Sequence, residues 1–301
     1  MKLEIDNKLA IFRCCITSMG LEQYEWSSNA VLRELGIEFA DIKEFNCCGY
    51  PLRNISFNAY LRASARNLAL AERQKSDILT FCGCCYGSLK YADHAMKENG
   101  ALRDEINSEL GKEGLSHGGT SRTLHFLEVL NASVGVENIR KRVKKSWDGL
   151  KVAVHYGCHL LRPRKIVGFE DAFPPVLFDT LVEATGAESV SWGEKYECCG
   201  SPLLGVNDEL SMDLTLKKIE SAAEAGADCL CVVCPFCQMQ FDRIQKKMLA
   251  GRSSVQVPCM TFPHLLGLSL GIDPAVLGVD RNEIADDTDG YPLRACASAS
   301  K

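Results

Sequence analysis

Two short apolar runs, "LAIFRCC" (9–15) and "KVAVHYGC" (151–158), read as buried β-strands, and each ends at a cysteine. A stretch of helical spacing follows each one, "WSSNAVLRELG" (26–36) and "PPVLFDTLVEATG" (174–186). Each half then reaches a Cys-Cys-Gly, in "FNCCGYPL" (45–52) and "YECCGSPL" (196–203). Second helical segments come next, "NAYLRASARNLALAERQ" (58–74) and "ELSMDLTLKKIESAAEAG" (209–226). Each runs into a β-rich stretch that closes on a C-x-x-C, "DILTFCGCC" (77–85) and "DCLCVVCPFC" (228–237). Gly36, Gly186 and Gly226 stand where helix C-caps are expected.

The spacing makes this a duplication. The interval from Cys15 to Cys158 is 143 positions, from Cys47 to Cys198 it is 151, and Cys82 to Cys234 and Cys85 to Cys237 are both 152. The shorter first interval places an insertion in the second copy, around "RPRKIVGFEDAFPP". Strand, helix, strand, helix, strand in each copy predicts an α/β fold of two pseudo-equivalent domains. Each would be a small parallel sheet flanked by helices, with cysteines at the carboxyl ends of the strands, where such sheets gather ligands. The expected division is residues 1–140, residues 150–280 and a C-terminal tail, 281–301.

Composition narrows the chemistry. The chain has 301 residues, 46% of them hydrophobic, and a formal net charge of −5, so nothing suggests a nucleic-acid partner. The basic run "RKRVKK" (140–145) reads as a solvated helix face or linker. No apolar run approaches the roughly 20 residues of a membrane span, and "MKLEIDNKLA" is too charged for a secretory signal, which predicts a cytoplasmic protein. The outlier is cysteine, at 16 residues, in a chain too long to be a small disulfide framework, so the expectation is metal.

Each half offers one strand-end cysteine, a Cys-Cys pair and a C-x-x-C. That is one thiolate more than a closed structural zinc site uses, whereas iron–sulfur clusters take thiolates from several chain segments. The chain has no G-x-G-x-x-G, no P-loop, no G-x-S-x-G and no ferredoxin-type cysteine run.

This twice-repeated order of Cys, Cys-Cys-Gly and Cys-x-x-Cys resembles the CCG-domain family, and within it the B subunits of heterodisulfide reductases. The resemblance runs over roughly residues 9–270. It implies two 4Fe-4S clusters of non-cubane type, the first held by Cys15, Cys47, Cys48, Cys82 and Cys85. The second would be held by Cys158, Cys198, Cys199, Cys234 and Cys237. It further implies that the two clusters face one another and split a disulfide into two thiols, as one expects where two near-identical sites meet a substrate with two sulfurs. In methanogens that substrate is the coenzyme M–coenzyme B heterodisulfide. The implied partners are an iron–sulfur C subunit with two cubane 4Fe-4S clusters and a flavoprotein A subunit. Gly49 and Gly200 would let the chain turn closely around the cluster.

Some assignments stay open at this level. Cys14 competes with Cys15, and Cys84 lies beside an assigned ligand, whereas Cys229, Cys231 and Cys259 read as small core residues and Cys296 falls in the tail. His155 and His159 flank Cys158, either as packing residues or as a proton donor to a departing thiolate or a group tuning the cluster. Arg162, Arg164 and Lys165 are surface charge by default, or partners for an anionic arm of the substrate. Two rival functions remain beside disulfide reduction: a non-catalytic electron relay, and a zinc-binding assembly protein.

Overall fold

The computed structural model describes residues 5, 7–248 and 255–284; Cys296 and the tail beyond residue 284 lie outside the described residues. The first half forms β1 (Lys8–Phe12), α1 (Glu22–Glu34), β2 (Ala40–Asp41), α2 (Phe57–Arg73), β3 (Ser76–Thr80), α3 (Gly83–Glu98), α4 (Gly100–Leu110), β4 (Thr123–His125), α5 (Phe126–Ser133) and α6 (Val136–Arg142). The second half forms β5 (Lys151–His155), α7 (Cys158–Leu161), α8 (Arg164–Val167), α9 (Leu177–Glu183), β6 (Glu188–Ser189), α10 (Asp208–Glu224), β7 (Cys229–Val232), α11 (Pro235–Met239), α12 (Gln245–Met248), β8 (Cys259–Thr261), α13 (Phe262–Ser269) and α14 (Pro274–Leu277). A π-helical turn, Gln240–Ile244, joins α11 to α12.

The strands make two four-stranded parallel sheets of the same order, β2-β1-β3-β4 and β6-β5-β7-β8. Continuous apolar runs suit strands covered on both faces. Every residue of β3 and β7 is buried, and in β1 and β5 only the first is exposed. The one buried charge among them is neutralised, because Asp77 of β3 takes bonds from Arg122 Nε at 2.9 Å and Nη2 at 2.6 Å. The short edge strands β4 and β8, three residues each, carry no alternation that the sequence could display.

The four long segments with helical spacing are helices in both copies, with shifted ends. The first begins at Glu22, upstream of the expected residue 26, with Glu22 and Glu25 in its first turn, where the helix dipole favours acids. The equivalent α9 is shorter than expected because Pro174 and Pro175 precede it. Ser56 caps α2 through the Ala59 amide at 3.3 Å, and Asn207 caps α10 through the Leu210 amide at 3.1 Å. These two caps stand at the same place in the two repeats.

By contact, the chain divides into two compact units that do not follow sequence order. Among the described residues, the first takes those up to 15 with 37–133 and 159–169, and the second takes 16–36, 134–158 and those from 170 onward. Each repeat therefore lends a segment to the other repeat's unit. In the first unit, Tyr86 Oη of α3 donates to the Val167 carbonyl at 3.0 Å. A Cβ at Gly87 would lie 2.8 Å from the His159 carbonyl oxygen, so α3 and the lent segment touch backbone to backbone. In the second unit, Arg142 Nη1 donates to the Leu35 carbonyl at 3.1 Å and Lys144 pairs with Glu34 at 2.9 Å.

Candidate metal centres

The order β2-β1-β3 puts a topological switch point between β1 and β3, and β6-β5-β7 puts one between β5 and β7. The carboxyl ends of the strands beside such a point are where doubly wound sheets bind ligands. The cysteines sit there. Cys14 and Cys15 follow β1, and Cys158 follows β5. Cys82 is the N-cap of α3 after β3, and Cys234 the N-cap of α11 after β7, so each C-x-x-C spans a first helical turn and not a strand end. The Cys-Cys pairs lie in the loops after β2 and β6.

In the first unit, the Sγ atoms of Cys14, Cys82 and Cys85 lie within 4.8 Å of one another, and Cys47 Sγ is 3.7 Å from Cys15 Sγ. Cys14, Cys48, Cys82, Cys84 and Cys85 are buried, whereas Cys15 and Cys47 are half-buried. In the second unit, Cys199 Sγ and Cys237 Sγ are 3.6 Å apart, and both lie within 4.8 Å of a ring nitrogen of His155. Cys199, Cys234 and Cys237 are buried, while Cys158 and Cys198 are half-buried. All fifteen cysteines among the described residues are free thiols.

The two copies agree in detail. Cys15 hydrogen-bonds with Cys47, and Cys158 is tied in the same way to Cys198, the repeat equivalent of Cys47. Cys15 is thus the structural counterpart of Cys158. Cys14 corresponds to Gly157, whose Cβ direction points at Cys237 Sγ, 3.7 Å away. That is why Cys14 meets Cys85, the equivalent of Cys237: it adds a sulfur where the second unit has none.

Thiols this close oppose one another's ionisation. Hydrogen bonds with Cys14, Cys48 and Cys82, and then burial, push the Cys85 thiol well up, and Cys199 and Cys234 do the same to Cys237. Cys198 pushes Cys199 up to about 12, and also raises Cys158. Cys48 goes the other way, lowered by hydrogen bonds from Cys47, Cys84 and Cys85. Such a set becomes all-thiolate only when cations lie among the sulfurs. Its sulfurs outnumber the four ligands of one tetrahedral zinc, so the donors fit a multi-iron group better than a single ion.

The Cys-Cys-Gly-x-Pro-Leu stretch folds alike in both units. Gly49 and Gly200 are left-handed, with φ of 84° and 90°, and each starts a 3₁₀ turn, Tyr50–Leu52 and Ser201–Leu203. A Cβ at Gly200 would lie 2.3 Å from the Ser211 carbonyl oxygen, and one at Gly49 would lie 2.9 Å from that of Tyr60. The glycines thus admit the backbone of the following helix. Hydroxyls on those helices hold the second cysteine of each pair: Ser64 Oγ donates to the Cys48 carbonyl at 2.6 Å, and Thr215 Oγ1 to that of Cys199 at 3.0 Å. Sequence reading missed this pair, although each hydroxyl stands sixteen residues after its cysteine, a signal visible on superposing the repeats.

The histidines part company. His155 is buried against Phe241, and burial holds it neutral by lowering its pKa well below the usual range. His159 belongs to the first unit, its ring edge-on to Tyr50 at 4.7 Å, next to the Cys47–Cys48 pair. Arg162, Arg164 and Lys165 are exposed in that same unit. Cys229, Cys231 and Cys259 are buried within β7 and β8, as strand residues of the sheet.

Comparison with known proteins bears on both repeats. The family model described as "Cysteine-rich domain", CCG, matches residues 9–90 and 152–242. The B subunit of the ferredoxin:CoB-CoM heterodisulfide reductase of Methanosarcina mazei is 37% identical over 92% of this chain and 94% of its own length. The 8-methylmenaquinol:fumarate reductase membrane anchor subunit of Wolinella succinogenes is 38% identical over 93% of this chain and 98% of its own length. A solved structure of a hypothetical protein from Helicobacter pylori superposes with a TM-score of 0.76 at 19% identity, covering 92% of this chain and 52% of that one, which bears on fold alone. Among the described residues, no helix is long and apolar enough to cross a membrane.

Proposed function

Because the chain belongs to the CCG family of cysteine-rich domains, we propose that this iron–sulfur redox subunit reduces a small disulfide to two thiols within a heterodisulfide-reductase-type complex. The observation that carries the reading is the repeated set of crowded, unoxidised cysteines at the switch point of each sheet. Cys15, Cys47, Cys48, Cys82 and Cys85 would hold one 4Fe-4S cluster of non-cubane type, and Cys158, Cys198, Cys199, Cys234 and Cys237 the other. Such groups supply single electrons and iron positions able to take sulfur, so both halves of a disulfide can leave as thiols once two electrons and two protons have been delivered. The electrons would come through an iron–sulfur C subunit with two cubane clusters and a flavoprotein A subunit.

The chain's own residues set the stage for this chemistry. Ser64 and Thr215 fix the carbonyls of Cys48 and Cys199, which aims the paired sulfurs. His155, kept neutral, offers a ring nitrogen beside Cys199 and Cys237, and His159 stands by the first set as a group able to pass a proton. Exposed Arg162, Arg164 and Lys165 give an anionic arm of the substrate something to meet.

A second reading rests on the Wolinella relative, whose name places it in a fumarate reductase as a membrane anchor and not as a disulfide reductase. In that reading the clusters only relay electrons. One experiment separates the possibilities: iron, zinc and acid-labile sulfide analysis of anaerobically purified protein, followed by electron paramagnetic resonance with coenzyme M, coenzyme B and other small thiols. A new signal with one specific thiol supports disulfide chemistry. Iron signals indifferent to every thiol support the relay, and zinc without sulfide defeats both.

A further inference from the structure

Lys218 is 1% exposed, deep on the inner face of α10. Its ammonium donates to the Glu194 carbonyl and, at 3.1 Å, to the Glu197 carbonyl, and it stands 4.8 Å from the centre of the Trp192 ring. Among the described residues no carboxylate pairs with it, since Glu194 spends its own carboxylate on exposed Lys217 at 2.7 Å. A buried ammonium bonded only to neutral groups is costly unless an anion lies close by. The groups that raise its proton affinity against burial are, in order, Cys199, Cys237, Glu194 and Cys198, three of them cysteines of the second set.

The first repeat does without this charge. Asn67 stands at the same place, 151 positions earlier, the offset that also relates Cys47 to Cys198. It does the same backbone work with a neutral amide, accepting from Asn46 N at 2.9 Å and donating to the carbonyls of Asn46 at 3.1 Å and Cys47 at 3.3 Å. Two sites whose five proposed ligands correspond therefore differ in this buried positive charge.

We propose that Lys218 is the counter-cation of the second cysteine set, and that it makes the two sites unequal by favouring the electron-rich state of the second. The inference rests on the reading of both sets as iron–sulfur sites. A cluster held by four or more thiolates is net anionic, so a fixed ammonium beside it lowers the cost of one further electron and helps to retain the loaded site. Lys218 touches no reacting atom; it is a positioning and charge-compensating residue.

The test is a potentiometric titration of the anaerobically purified chain with reduced viologens, followed by electron paramagnetic resonance, with iron and sulfide counted on the same samples. Each step adds one electron and makes or breaks no bond. Lys218→Gln keeps a donor for the Glu197 carbonyl but removes the charge. The expected result is unchanged iron and a shift of one of the two sites toward lower potential by about tenfold in its reduced fraction, 59 mV for a one-electron couple, with the other site unmoved. Unmoved potentials at full iron content overturn the proposal. Should Lys218→Gln lose iron, Lys218→Arg decides: iron retained with the guanidinium supports charge compensation, and equal loss assigns the residue to packing and overturns it. Wild-type protein without iron would instead refute the underlying assignment of the cysteine sets.

Discussion

Replacing Gly200 by alanine tests whether the Cys-Cys-Gly turn is dictated by the helix behind it. The new Cβ would sit 2.3 Å from the Ser211 carbonyl oxygen and 3.3 Å from Leu214 Cβ, where contacts below 3.0 Å essentially never occur. The turn and α10 must therefore separate by at least 0.7 Å, the difference between those two distances. That movement stretches Ser211 Oγ to the Gly200 carbonyl, now 2.9 Å, and Thr215 Oγ1 to the Cys199 carbonyl, now 3.0 Å. Two weakened hydrogen bonds cost about 1 kcal/mol each. A φ of 90° adds roughly 1–2 kcal/mol for a residue with a Cβ. The expected loss is thus about 3–4 kcal/mol, a large share of the roughly 5–15 kcal/mol that holds a domain folded. Gly205→Ala is the control, because its φ is 81° but nothing lies within 4 Å of the added atom, so only the conformational cost of about 1–2 kcal/mol remains. Gly49→Ala, at 2.9 Å from the Tyr60 carbonyl, should fall between. Urea midpoints of the three variants, with iron per chain measured alongside, give the ranking. Equal midpoints for Gly200→Ala and Gly205→Ala would refute the idea that close approach selects the glycine.

Other outcomes follow from the same geometry. Cys15→Ser should lose iron from the first site, while Cys14→Gly, which installs the second repeat's residue, should keep it; iron and sulfide counts decide, and the reverse pattern would make Cys14 the ligand. Cys231→Ala should leave iron unchanged and cost about 1 kcal/mol as a small core deletion, read from urea unfolding. Gly87→Ala drives a Cβ to 2.8 Å from the His159 carbonyl and should destabilise the first unit; likewise, residues 1–150 expressed alone lack 159–169 and should be loosely folded by hydrogen exchange, a native-like pattern refuting the exchange of segments. Burial raises Glu128 from 4.5 to about 7, so between those pH values the unfolded chain has released a proton that the folded chain keeps, and stability falls as pH rises, by about 3 kcal/mol in all. Glu128→Gln should remove that slope, and identical stability profiles at pH 5 and pH 8 for the variant and the wild type would contradict it.

Most of the architecture was legible because its causes are local. The apolar run 152–154 reads as a covered strand, and the offsets between the copies, 143 positions at the first cysteine and 151–152 at the later ones, related the strands and helices that the sequence displays. What stayed hidden depends on three-dimensional neighbours. Nothing in "CHLLRPRK" shows that Cys158 joins the second unit and His159 the first, because that division is made by Gly83 and Gly87, whose missing side chains let Leu160 and His159 reach α3. The edge strands β4 and β8 were missed because three residues are too few for a period to appear.

The cysteines show the same boundary between the two kinds of information. Residue type and spacing name the donors, yet the choice between Cys14 and Cys15 turns on direction. Cys15 reaches Cys47 as Cys158 reaches Cys198, whereas Cys14 occupies the direction that Gly157 leaves empty beside Cys237. A duplicated chain supplies its own control here, since a residue present in one copy and replaced in the other marks where the two sites need not be alike. By that criterion Cys14 against Gly157 and Lys218 against Asn67 are the informative differences. One adds a sulfur to the first set and the other a positive charge to the second, so pseudo-symmetry of ligands does not imply symmetry of electron affinity.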